Sequence, residues 1–241
     1  MEEKKNISCT VRETANMLRI LQAAPIFSGL SQEQLTQLAS HCNLVFKKRG
    51  CAIYRKEDVS NQFYLIKSGC IMESVFYGNS ADIVVKIRSD GEYFGEMGLL
   101  SNEPCPNTAL TLEDTVLVSI PQKYFLDAVW QNTSVCKVII LELIDRLLHS
   151  AQHMVNSLYL DAPGRLASTI VNLTVGSQQK TLGVRITQSA LAFSCGMARQ
   201  TAARVLSEWR SQGIIATERG RLQILDLDKL LDIILHSEIK N

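Results

Sequence analysis

From Ser134 to Leu160 the chain contains neither glycine nor proline. Within that run Ile140, Ile144, Leu147, Ala151, Met154 and Leu158 advance by four, three, four, three and four residues. An α-helix turns once every 3.6 residues, so this spacing lays all six along one stripe, a heptad seam. A second apolar stripe, Val138, Leu141, Leu148 and Val155, runs beside it. One stripe suits the body of the protein and the other a partner helix. A single intramolecular helix with a wide buried face accounts for the same pattern.

This helix divides the chain into two parts of different character. Before it, residues 44–120 hold short β-rich runs: "LVFKKRGCAIY", "NQFYLIKSGCIMESVFY", "ADIVVKIRS" and "TALTLEDTVLVSI". Gly50, Gly69, Gly78-Asn79, Asp90-Gly91 and Gly95 punctuate them. Short strands at close spacing with glycine turns predict an antiparallel jelly roll or barrel. Further upstream, residues 11–24 have helical spacing and stop before Pro25. Ser31 then stands where it can cap a helix with Leu35 and Leu38 on one face.

Composition narrows the function classes. The chain has 241 residues, 46% hydrophobic and 20% charged, enough for one large domain or two modest ones with a buried core. Net charge is +1, so contact with nucleic acid requires a local basic patch. The apolar run "VIILELIDRLL" is broken by Glu142, Asp145 and Arg146 and is too short to span a bilayer. The polar N-terminus "MEEKKNISCT" has no apolar run behind it, and a soluble, cytoplasmic protein is expected. Seven cysteines are scattered without a C-x-x-C, as expected of free thiols in a reducing compartment rather than a metal site. No H-E-x-x-H, G-x-S-x-G or Walker loop occurs, and an enzyme is not expected.

After the long helix, "LDAPGR" breaks it: Asp161 can cap a new helix and Pro163 suits its first turn. "ITQSALAFSCGMARQTAARVLSEW" then reads as helix, turn and helix, with Thr187 capping the first and Gly196 in the turn. On the second helix, steps of about 100° put Ala202, Val205, Leu206 and Trp209 on one face. Gln200, Ala203, Arg204 and Ser207 lie opposite, with Arg199 at the edge. That outward face suits a DNA major groove. Arginine can donate twice to guanine, glutamine can pair with adenine, and alanines let the helix come close. Thr201 and the helix N-terminus can bind phosphate. "ATERGRLQI" reads as a hairpin turning at Arg219-Gly220, a wing with Arg219 and Arg221 beside the DNA backbone.

Gly50, Asp58, "FYLIKSG", "DGEYFGEMGLL", "TALTLEDTVLVSIPQKYF", "LDAPGRLASTIVNL", "ITQSALAFSCGMARQTAARVL" and "GII", in that order, carry a resemblance. From Pro25 onward the chain resembles the cyclic-AMP receptor protein and fumarate–nitrate reduction regulator superfamily of bacterial transcription factors. The resemblance implies an α+β chain with an N-terminal cyclic-nucleotide-binding-like β jelly roll, a long dimerisation helix and a C-terminal winged helix-turn-helix. The expected parts are an N-terminal helical arm (1–24), an effector-sensing β-roll (25–130), the dimerisation helix (131–160) and the DNA-binding domain (161–241). By motif, Arg199, Gln200 and Arg204 fall where the family reads bases. Thr187, Gln188 and Thr201 fall where it touches phosphates. Gln200 replaces the family's glutamate, which implies an altered operator at that base pair, and Ala198 replaces a common serine cap.

The expected effector pocket comprises Gly95, Glu96, Met97, Asn107, Thr108, Arg146 and Ser150. It departs from the cyclic-AMP pattern. The family's phosphate-binding Arg-Ser corresponds to Pro106 and Asn107, and its adenine-facing Thr-Ser pair to Ser150 and Ala151. Glu96 can instead pair with Arg146. Cyclic AMP is therefore not the expected effector, and the effector is left unknown. Haem stays open through His41, Cys42, Cys51 or Cys70. An N-terminal iron–sulfur cluster is not supported, because Cys9 is the only cysteine before Cys42. The expected partners are a near-palindromic double-stranded operator, a second copy of the chain, RNA polymerase and a small-molecule or redox effector, with no membrane. The alternative is a ligand-sensing module that acts through protein contacts.

Overall fold

In a computed structural model, the structure describes residues 14–77, 81–175, 183–184, 186–218 and 221–237. A first helix, α1, runs through residues 14–23, and a 3₁₀ turn follows at Pro25–Phe27. Helix α2 (Gln32–Ala39) starts on the expected cap. Ser31 accepts from the Gln34 backbone N–H, and the Gln34 side chain accepts from the Ser31 N–H, closing a capping box. Leu35 and Leu38 are buried on its inner face.

The β-rich region forms two antiparallel four-stranded sheets. One has the order β1-β8-β3-β6, from Asn43–Lys47, Thr115–Pro121, Gln62–Ser68 and Tyr93–Phe94. The other has the order β2-β7-β4-β5, from Ala52–Tyr54, Thr108–Thr111, Ile71–Tyr77 and Ala81–Arg88. Tyr54, Ile66, Ile71, Phe94, Ala109 and Leu117 pack between the sheets. A larger core joins the first sheet to the helices, with Phe27, Phe63, Phe125, Val135 and Ile139 at its centre. Short helix α3 (Glu96–Ser101) begins at Gly95, whose φ of 89° is left-handed backbone that glycine adopts without strain.

Helix α4 (Gln122–Gln131) stops at Asn132 and the long helix α5 runs from Thr133 to Tyr159. Its contact with the β-roll differs from the sequence expectation. The buried positions are Val135 and Ile139, followed on the same face by half-buried Glu142 and Arg146. The second apolar stripe, by contrast, leaves Leu141, Leu148 and Val155 exposed. The inward face starts apolar and ends charged, so apolar periodicity alone does not find it.

The C-terminal part packs α6 (Ala162–Val175), α7 (Gln188–Ser194), α8 (Arg199–Ser211) and α9 (Leu227–Leu235) with a three-stranded sheet, β10-β11-β9. Its strands are Ile215–Glu218, Arg221–Ile224 and Gly183–Val184. Strand β5 links the two parts. Its register with β4 shifts at Val85, so Val84 and Ile87 pack toward α6 and α7, while Lys86 and Arg88 face α5. The Val84 N–H donates to Ser194 Oγ at 3.1 Å. Among the described residues no helix is long and apolar enough to cross a membrane.

Candidate nucleic-acid interface and sensor cleft

Helix α7 is capped by Thr187, whose hydroxyl accepts from the Ala190 N–H at 3.1 Å. The chain turns through Gly196, at φ 60°, into α8. Ala198 offers α8 no side-chain cap, as the sequence implies. Ala202, Val205, Leu206 and Trp209 are buried in the C-terminal core with Leu191, Ala192 and Cys195. Arg199, Gln200, Arg204 and Ser207 are exposed, and Thr201 and Ala203 half-exposed. Thr187 is exposed and Gln188 half-exposed beside them. The 100° projection therefore separates a buried face from a polar, cationic one. Residues 219–220 of the hairpin, and so Arg219, lie outside the described residues. Arg221 opens strand β11.

The cleft of the β-roll is lined by Tyr54, Glu73, Gly95, Glu96, Met97, Gly98, Cys105, Pro106 and Asn107. The space between these residues is about 200 Å³ including what is open to solvent. Four of the expected pocket residues, Gly95, Glu96, Met97 and Asn107, line it. Thr108 instead accepts from the Lys56 N–H through its hydroxyl, Arg146 lies behind Glu96, and Ser150 is exposed on α5.

Behind this cleft is an ion network that sequence reasoning missed apart from Glu96 and Arg146. Arg88, 1% exposed, donates through Nε to Glu73 at 2.7 Å and through Nη1 to Glu142 at 2.6 Å. Arg146 bridges two elements: Nη2 reaches Glu142 at 2.8 Å and Nη1 lies 2.7 Å from Glu96 Oε1. Lys86 stands 3.5 Å from Glu142. Asn107 donates to Glu73 at 3.0 Å and lies 3.3 Å from the Tyr54 hydroxyl. The Arg146–Glu96 contact is one of charge rather than a directed hydrogen bond. Both Glu96 oxygens, Arg88 Nη2 and Arg146 Nε are buried without a hydrogen-bond partner among the described residues.

The protonation balance follows from burial set against these charges. Burial alone would raise Glu142, but Arg88 and Arg146, with hydrogen bonds from Tyr93 and Arg146, hold it well below the carboxylate range. Glu96 goes the other way, because its burial outweighs the pull of Arg146 and Arg88. Burial works against the charge on Arg88 too, yet Glu73, Glu96 and Glu142 raise its pKa and keep it cationic. Elsewhere, burial pushes the Cys42 thiol up to about 12 and the Cys195 thiol up to about 11, leaving both protonated near neutral pH. His41 stacks on Tyr124 with ring centroids 3.7 Å apart. Among the described residues no three His, Cys, Asp or Glu side chains gather as a metal-holding group.

Residues 44–132 match the cyclic nucleotide-binding domain family and residues 164–233 the Crp-like helix-turn-helix domain family. The chain thus belongs to the cyclic-AMP receptor protein and fumarate–nitrate reduction regulator superfamily of transcription regulators, with a helix-turn-helix DNA-binding domain and a cyclic-nucleotide-binding-type sensor domain. It is 24% identical over 198 residues to the cAMP-activated global transcriptional regulator CRP of Haemophilus influenzae, covering 77% of this chain and 88% of that one. It is 23% identical over 219 residues to the CRP-like cAMP-activated global transcriptional regulator of Mycobacterium tuberculosis, covering 89% and 98%. A solved crp/fnr-family regulator from Eubacterium rectale shares the fold at a TM-score of 0.68, with 18% identity over 89% of this chain and 99% of that one. These relatives are transcription regulators rather than enzymes.

Proposed function

We propose that the protein is a homodimeric, sequence-specific transcription regulator of the cytoplasm, controlled through its β-roll by a signal other than cyclic AMP. The observation that carries this reading is the division of α8 into a buried apolar face and an exposed face bearing Arg199, Gln200, Arg204 and Ser207. Arg199 and Arg204 read guanine edges and Gln200 an adenine. Thr187, Gln188, Thr201, Arg219 and Arg221 hold the phosphates. The Thr187 oxygen is engaged as the cap of α7, which leaves its O–H to donate to a phosphate.

Dimerisation rests on the seam of α5. Ile140, Ile144, Leu147, Met154 and Leu158 are each between 48% and 69% exposed, a continuous apolar stripe that a second copy would cover. Two recognition helices carried by such a pair would sit about 34 Å apart and read a near-palindrome. RNA polymerase is then the partner that turns DNA occupancy into regulation. The double substitution Arg199→Ala with Arg204→Ala tests the reading by gel shift on upstream DNA at moderate salt. Loss of the sequence-specific shift, with a residual salt-sensitive one, is expected. An unchanged shift would favour a module that works through protein contacts.

A further inference from the structure

The ion network suggests what kind of sensor this β-roll is. We propose that the roll takes no phosphate-bearing nucleotide, that its own network of Glu73, Arg88, Glu142, Arg146 and Glu96 holds α5 against the sheets in the nucleotide's place, and that the DNA-competent form needs no cyclic nucleotide. The inference rests on the DNA-binding reading above.

The lining of the cleft argues against an anion. Its carboxylic acids are Glu73 and Glu96, both at least 96% buried, and among the described residues no lysine or arginine lines it. Pro106 has neither charge nor N–H. The Cys105 N–H is engaged by the Asp58 carbonyl at 2.9 Å, and the Asn107 amide by Glu73. A phosphate there would meet carboxylates at the cleft lining, and the arginines nearest to it, Arg88 and Arg146, are already paired with Glu73 and Glu96.

The cations stand one layer back, where they serve the fold. Arg88 on β5 joins Glu73 on β4 to Glu142 on α5. Arg146 on α5 joins Glu142 to Glu96 at the start of α3. Both sheet strands and the cleft helix are thereby fastened to the inward face of α5. A turn or less away, Ile140, Ile144 and Leu147 form the outward seam. An arginine's planar fork can bind two carboxylates in fixed directions, which sets the rotation of α5 and so the angle at which its seam is offered. A signal that turns this regulator off would act by breaking the network.

The test uses the full-length protein. Duplexes are selected from a randomised pool without nucleotide, and the affinity for the enriched sequence is measured with and without cyclic AMP or cyclic GMP. A sequence should be enriched without nucleotide, and either nucleotide should change its affinity by less than about twofold. Glu96→Gln with Arg146→Met removes one charge of each sign, and should lower affinity about tenfold, within the range of allosteric couplings, at an unchanged far-ultraviolet spectrum. Arg146→Lys keeps the charge but cannot bridge two carboxylates, and should lose about threefold. Enrichment only when a cyclic nucleotide is present would overturn the inference, as would wild-type affinity in both variants. Enrichment under no condition would overturn the DNA-binding reading itself.

Discussion

Glu142 and Glu96 meet the same arginine and respond in opposite senses, because burial outweighs the pull of Arg146 and Arg88 on Glu96, whereas Arg88, Arg146 and Tyr93 together overcome it at Glu142. A carboxylate whose folded pKa is depressed gives up its proton more readily folded than unfolded. Its stabilisation is complete above the unfolded value near 4.5 and is lost as pH falls through that value toward the folded one. Glu96, raised, favours the folded state on acidification, and this partly opposes the loss. Thermal melts across pH should therefore show Tm falling below about pH 4.5, and Glu142→Gln should flatten that fall while lowering Tm at neutral pH. Removing Arg88 strands two carboxylates, so Arg88→Met should cost about 3–5 kcal/mol in urea unfolding. Of these residues the sequence made legible only Glu96, through its Gly-Glu motif, and Arg146, as the partner expected for Glu96 on the long helix. Glu73 and Arg88 sit in strands as isolated charges. Their meeting depends on the register of β4 with β5, and the bulge at Val85 sets that register.

Among the elements, α8 was fully legible, because its apolar face repeats at helical spacing and its polar face carries the remaining chemistry. Helix α5 was legible on its outer side only. Its inner face, Val135, Ile139, Glu142 and Arg146, changes from apolar to charged halfway, which erases the periodic signal. The join between α5 and α6 holds a contact that sequence reasoning saw in half. Asp161 caps α6 by accepting from the Gly164 N–H at 2.8 Å, as expected. Ser237, past the end of α9, donates to Asp161 Oδ1 at 2.7 Å and accepts from the Asp161 N–H at 3.0 Å, which fastens the chain's last helix to this joint. A Cβ on Gly164 would collide with the Ser237 side chain. Gly164→Ala should thus cost about 1–3 kcal/mol by denaturant melt, and much less in a Ser237→Gly background. Equal costs in both backgrounds would mean the crowding arises elsewhere.

For the whole molecule, the order of parts was readable because the β-roll, the long helix and the helix-turn-helix each have a different period. Less readable was their attachment: Val84 and Ile87 of β5 pack on α6 and α7, a contact between segments about a hundred residues apart that no local pattern announces. The charge of the seam is where assembly can be tested. Ile144→Asp with Leu147→Asp puts carboxylates into the apolar stripe. By sedimentation it should yield monomers that stay folded, since both positions are exposed in the single chain, with a melting temperature lowered by the loss of the partner and no longer dependent on protein concentration. The central claim, two identical reading helices held by one seam, is tested most directly by footprinting the full-length protein on its selected duplex. The expected result is two protected half-sites related by a dyad, centred about one helical turn apart, with both lost together in the Ile144→Asp, Leu147→Asp variant. A single asymmetric half-site, or symmetric protection that survives in that variant, would contradict it.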